Sequence, residues 1–211
     1  LQSKNLSKEY DGTALTNGDA ADLGVTVNER GLAVETGWAE GEGATYTFTG
    51  SQTLVGHSAN AFTYTLNGGT DEGNYTINKT EGQLTVTNRE AAYEVTVKAN
   101  SGSKDYDGKL LEVSGFQNEV EGKGIEVEAS NGLTYYVTGL TSEASGTDVA
   151  DSVASIPVEG TAKVVDSEGE DVTSQFNVKV ENGSLKINKA TVTLQSKNLS
   201  KEYDGTALTN G

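Results

Sequence analysis

The 211-residue chain has no cysteine and no methionine, and only one histidine, one tryptophan and one proline. Without cysteine there is no disulfide, no thiolate nucleophile and no cysteine-ligated zinc. His57 has no histidine or cysteine companion, which removes the usual catalytic and metal-binding clusters. Positive charge is also scarce, with 15 Lys and Arg against 31 Asp and Glu and a formal net charge of −16. Phosphate backbones and anionic membrane surfaces are therefore poor partners. No stretch approaches the roughly 18 apolar residues that a spanning helix needs. Motifs for a nucleophile elbow, a P-loop, a dinucleotide fingerprint or a zincin are missing, and the expectation is a non-enzyme without cofactor or metal. The chain starts at Leu1 with no leader-like stretch, and reads as a piece of a longer mature protein.

Leu, Ile, Val and Phe make up only about a fifth of the residues, near the boundary at which a charged chain fails to bury a core. Nine tyrosines and four phenylalanines compensate. The apolar residues are also ordered along the chain. Phe62, Tyr64 and Leu66 are separated by Thr; Tyr75 and Ile77, Val95 and Val97, Leu84 and Val86, Phe176, Val178 and Val180, Leu185 and Ile187, and Val192 and Leu194 follow the same period of two. That is strand chemistry. Turn residues separate the runs, among them Asn67-Gly68-Gly69, Glu81-Gly82, Asn131-Gly132 and Asn182-Gly183, the last a hairpin signal. Thr147 to Ser155 is the nearest approach to a helix, one or two turns at most.

The strongest signal is repetition. Residues 1–18, LQSKNLSKEYDGTALTNG, recur without change as residues 194–211. A weaker copy lies midway, where SKDYDG aligns with SKEYDG, so that Tyr10, Tyr106 and Tyr203 are equivalent. The ends of the units match as well: NYTINKTEGQLTV from Asn74 and FNVKVENGSLKI from Phe176. These spacings predict an all-β chain of two tandem Ig-like β-sandwich domains end to end, 1–90 and 91–190, with 191–211 starting the next repeat. The opposite division, with 1–18 as the orphan, stays open on sequence alone. A lone strand seldom orders without pairing, so one terminal copy is expected to pair with an adjacent domain or a neighbouring chain. The linker around Thr87 to Glu94 is about four residues longer than its counterpart near 190–194, which suggests more bending there.

The recurrent motif comprises Lys8, Tyr10, Asp11 and Gly12, then Lys104, Tyr106, Asp107 and Gly108, then Tyr203, Asp204 and Gly205. Asp-Gly wants a turn with positive φ at Gly, and Tyr offers a large ring with a polar tip. The expected role is structural: the tyrosines plug one end of a sandwich and the aspartates cap the turn. Trp38 is the weak ligand candidate, with Tyr135 and Tyr136 as a second aromatic site if exposed. The acidic run Asp166 to Asp171 raises a calcium question but lacks the EF-hand spacing. Lys8, Lys104 and Lys189, with Asn74 and Asn177, are the residues from which a Lys–Asn amide cross-link would be drawn, although surface lysines and edge asparagines are the simpler reading.

Lys8-Glu9-Tyr10-Asp11-Gly12, Gly73-Asn74-Tyr75-Thr76-Ile77 and Gly82-Gln83-Leu84-Thr85-Val86, in this order, resemble the YDG/MBG-type tandem repeats of bacterial cell-surface adhesins. The second unit keeps Lys104-Asp105-Tyr106-Asp107-Gly108 and a G-x-DVTS-x-F-N form at Gly169 to Asn177, with Phe176 where such repeats carry Tyr. The resemblance covers both units. It implies a secreted, wall- or surface-attached stalk whose partners are neighbouring repeats of the same chain. Host glycan or matrix protein would be met through the full-length protein, or by weak sites on each repeat acting through avidity. It brings no catalytic residues, no nucleic acid and no membrane insertion of this segment.

Overall fold

The computed structural model describes residues 1–210, and its elements are β-strands and single turns of 3-10 helix. The chain is all-β. Among the described residues, every ladder joins strands within 1–87 or within 93–188.

In the first set, Leu6–Glu9 pairs in parallel with Gly82–Thr87, which takes Gly56–Asn60 antiparallel on its other side. Ala44–Phe48 pairs antiparallel with Phe62–Leu66, and Leu15–Thr16 with Ser51–Gln52. In the second set, Gly102–Asp105 pairs in parallel with Gly183–Asn188, which takes Val153–Ile156 antiparallel on its other side. Thr134–Thr141 lies between Gly124–Glu128 and Glu159–Val165, and Leu111–Ser114 pairs with Glu143–Gly146. The register repeats too: Lys8 faces Val86 as Lys104 faces Ile187.

Alternation explains these strands. In Tyr93–Lys98 the residues Tyr93, Val95 and Val97 are buried while Glu94, Thr96 and Lys98 face solvent. Leu6, Leu84 and Val86 fill the first half in the same way, as Ile156, Leu185 and Ile187 fill the second. Each such side chain contributes about 1.5–3 kcal/mol by leaving water. The core does not stop at the connection between the halves, for Tyr10, Leu15 and Ala20 belong to the same buried cluster as Tyr93, Val127 and Tyr135.

Several expectations need correction. Asn182-Gly183 is not a hairpin turn, because the strands on either side enter different sheets: Phe176–Glu181 pairs in parallel with Tyr93–Lys98, and Gly183–Asn188 with Gly102–Asp105. Glycine is needed at this crossing because a Cβ on Gly183 would run into the Asn100 carbonyl, just as one on Gly82 would run into that of Lys4. Thr147 to Ser155 yields one 3-10 turn, Val149–Asp151, whose Asp151 carboxylate accepts from the Thr147 and Asp148 amides at 2.9 and 2.8 Å. Of the two terminal copies, the first pairs within its own half; residues 190–210 are exposed and form no strand. Tyr75 to Asn78 also forms no strand despite its alternation.

Candidate functional site at the junction of the two halves

The Lys-x-Tyr-Asp-Gly turn builds itself from local bonds. The Asp11 carboxylate accepts from the Lys8 ammonium at 2.9 Å, the Thr13 amide at 2.8 Å and the Thr13 hydroxyl at 2.7 Å. Asp107 accepts from Lys104 at 2.7 Å and the Lys109 amide at 3.0 Å. Asp204 accepts from Lys201 at 2.7 Å and the Thr206 amide at 2.9 Å. The following glycines have φ of +81°, +72° and +72° at Gly12, Gly108 and Gly205, the left-handed region in which a side chain is strained. The aspartates therefore cap the turn in all three copies. Burial would push the Asp11 carboxyl up, but the bonds from Lys8 and Thr13 outweigh it and hold the group below its ordinary value. The Lys201 bond, with those from Thr206, lowers Asp204 to about 2.

The tyrosines differ completely. Tyr10 is 1% exposed, Tyr106 43% and Tyr203 97%. Tyr106, with its own half around it, is left 43% exposed, so the rest of the cover on Tyr10 comes from elsewhere. The second half completes the burial of Tyr10, which shares one core cluster with Tyr93 and Tyr135, so the expected plug closes the junction between the halves. The Asn131 amide donates to the Asp11 carbonyl at 2.9 Å and to the Tyr135 hydroxyl at 2.8 Å. Arg89 donates to the Tyr10 carbonyl and to the Tyr93 hydroxyl, each at 3.1 Å, and its guanidinium stacks 4.0 Å from the centre of the Tyr93 ring. Phe176 completes the aromatic group, 4.6 Å from Tyr135 and 5.4 Å from Tyr93. Burial, with a side-chain interaction with Tyr135, pushes the Tyr10 phenol up.

The connection is tied to both sides. The Arg89 amide donates to the Gln175 side chain at 3.0 Å, Gln175 donates to Asn88 at 2.6 Å, and the Glu90 amide donates to Glu9 at 3.3 Å. The longer linker, expected to bend, is thus fastened at three points; its extra residues reach Tyr10 on one side and Gln175 on the other.

Sequence reasoning missed Arg89, Asn131 and Gln175. Arg89 carried a signal, being one of only two arginines in the chain. Asn131 read as an ordinary turn residue, and it does lie in the turn between Gly124–Glu128 and Thr134–Thr141.

The other candidates do not converge. Trp38 is half-buried, donates to the Tyr46 hydroxyl at 3.3 Å and meets the Tyr75 ring edge-on at 4.9 Å. Tyr135 and Tyr136 are 1% and 8% exposed, so they form no open aromatic platform. His57 is exposed. Asp166 is turned onto the Glu168 and Glu170 amides and Asp171 onto Thr173, and no three carboxylates or imidazoles cluster among the described residues. Lys8 and Lys104 are engaged by their own turns and Asn177 by Glu94 at 2.7 Å, so the structure does not bring the Lys–Asn pairs together. No helix is long and apolar enough to cross a membrane among the described residues.

No protein-family model, no curated protein and no solved structure matches the chain.

Proposed function

We propose that this chain is a stalk segment of a large bacterial surface adhesin, made of two tandem Ig-like β-sandwich domains that hold a distal binding domain away from the cell. The reading places it outside the cell, on the surface or wall, and gives it no catalytic role. One observation carries it: the turn of the first copy seats Tyr10 at the junction with the second half, where Asn131 of that half and Arg89 of the linker fasten the turn. A stalk needs joints of this kind, because domains on free linkers would collapse around each other instead of holding distance. The net charge of −16 supports the same reading by discouraging near-identical neighbours from associating or swapping.

The test is small-angle scattering on one and on two linked 193-residue units. A rod grows by a constant length per unit. A maximum dimension that rises by much less, or a profile typical of beads on a flexible string, would overturn the stalk. A screen of the same molecules against glycans and matrix proteins separates this reading from repeat-borne binding. Specific binding lost on Trp38→Ala would favour the latter.

A further inference from the structure

The Tyr75–Asn78 segment alternates like a strand, yet the Thr76 and Asn78 amides and the Thr76 carbonyl have no partner among the described residues. Its counterpart in the second half, Phe176–Glu181, lies in a parallel ladder with Tyr93–Lys98. One end of that ladder is present in the first half as well. The Leu1 amino group donates to the Asn78 carbonyl at 2.8 Å, the Thr80 amide donates to the Leu1 carbonyl at 2.9 Å, and the Ser3 amide donates to that of Thr80 at 3.1 Å. Gln2 thereby faces Thr80 as Lys98 faces Glu181, where the Ala99 amide donates to the Glu181 carbonyl at 2.9 Å. The register is the same, and the ladder stops at Leu1.

What lies beyond Leu1 is an open groove of about 210 Å³ lined by Leu1, Thr36, Trp38, Tyr75 and Ile77. The chain also contains the sequence that continues the ladder. Leu194 repeats Leu1, and the four residues before it are Ala190, Thr191, Val192 and Thr193, an alternating stretch that is exposed and forms no strand where it stands.

We propose that the groove beside Tyr75–Asn78 receives the Ala190–Thr193 sequence of a preceding copy of this chain, running in parallel directly into Leu1. Extending the observed register sets Val192 opposite Ile77 and Ala190 opposite Tyr75. The Val192 amide then donates to the Thr76 carbonyl, and the Val192 carbonyl accepts from the Asn78 amide. Val192 takes the place that Val95, buried in the second half, holds opposite Val178. Each copy would complete the first half of the next with four residues of its own, so that the copies interlock at this joint as the halves do at Tyr10. The inference rests on the tandem-array reading but concerns a strand pairing that can be measured by itself.

The experiment compares the 211-residue chain with the same chain carrying Ala-Thr-Val-Thr ahead of Leu1. Hydrogen exchange is followed by NMR at the Thr76 and Asn78 amides, with Trp38 emission as a second probe of the groove. The added residues should slow exchange at both amides by at least about tenfold, and shift the Trp38 emission to shorter wavelength. Aspartate in place of the added valine should abolish both changes without unfolding the second half. Exchange at Thr76 and Asn78 that is unchanged by the extension would overturn the pairing. So would protection already present in the dilute 211-residue chain, which would mean that another segment covers the edge. Neither result depends on whether linked units form a rod.

Discussion

Gly12 packs so closely against Tyr135 that a Cβ on it would stand 2.6 Å from the Tyr135 hydroxyl and 2.5 Å from Leu133 Cδ1. At Gly108 and Gly205 the same hypothetical atom meets nothing within 4 Å. One glycine thus carries two constraints and the others one. Gly205→Ala should cost only the left-handed backbone strain, about 1–2 kcal/mol of turn stability, and leave the melting temperature of the chain unchanged. Gly12→Ala adds a collision with a buried hydroxyl and should lower the melting temperature measured by calorimetry while loosening the junction. Equal effects of Gly12→Ala and Gly108→Ala would show that the close approach to the second half does not matter.

Tyr10 and Tyr106 allow a sharper comparison. Replacing a fully buried aromatic residue by alanine costs about 3–5 kcal/mol, whereas a half-exposed one costs far less. Tyr10→Ala should therefore destabilise the chain and expose the Asn88–Ala91 connection to proteases. Tyr106→Ala should be nearly silent in this chain. Linked to a following copy, Tyr106 should become sensitive too, if the joint recurs. Urea unfolding of these variants beside their parent chains would show it.

These contrasts also mark what the sequence could reveal. Alternation at Phe62–Leu66, Tyr93–Val97 and Leu185–Ile187 was enough to place strands, because each finds its partner inside one half. The same alternation at Tyr75–Ile77 and Val192–Leu194 produces no strand, since pairing depends on what lies alongside and not on the segment's own pattern. The turn chemistry of Asp11 was readable because every bond is local. The fate of Tyr10 was not: its motif is identical to that at Tyr203, and the bond that fastens the turn beside it runs from the Asn131 amide to the Asp11 carbonyl, 120 positions apart. Asn182-Gly183 misled for a related reason. A hairpin dipeptide reports that the chain can turn tightly, but here the turn carries it from one sheet to another.

Acid should act through the capping aspartates. A carboxyl held below its unfolded pKa contributes stability that is present above that unfolded value and is lost as pH falls through the lower, folded one. Asp11, held down by Lys8 and Thr13 against the effect of burial, falls in this class, so the melting temperature should be flat above about pH 5 and decline below about pH 4. Asp11→Asn should flatten that decline. Asp204 is lowered to about 2, yet its turn touches nothing else, and Asp204→Asn should leave the acid limb unchanged. Tyr10 contributes to the opposite limb: with its phenol pushed up by burial, the stability it contributes is present below the ordinary tyrosine value of about 10 and is lost above it. Tyr10→Phe should reduce the alkaline decline, the remainder falling to the Tyr93 and Tyr46 phenols, which burial also pushes up. A pH profile identical for wild type, Asp11→Asn and Tyr10→Phe would refute both assignments.

Arg89 tests whether the joint fixes an angle or merely holds two halves together. Its planar fork donates to the Ala91 carbonyl at 2.9 Å and to the Tyr10 carbonyl and Tyr93 hydroxyl at 3.1 Å, three directions set at once. Lysine keeps the charge and can still lie over the Tyr93 ring, but it is a point donor on a flexible stem and cannot satisfy that geometry. Arg89→Lys should cost little in melting temperature, about 1 kcal/mol or less once water takes over the freed acceptors. It should nevertheless broaden the distribution of angles between the halves, read as reduced agreement of residual dipolar couplings with a single orientation. Arg89→Ala should broaden it further and also lower stability, because the cation over Tyr93 goes with the hydrogen bonds. If both variants keep one sharp orientation, the angle is set by the Tyr10, Tyr135 and Phe176 packing alone, and the guanidinium serves only to neutralise the polar edge of that contact.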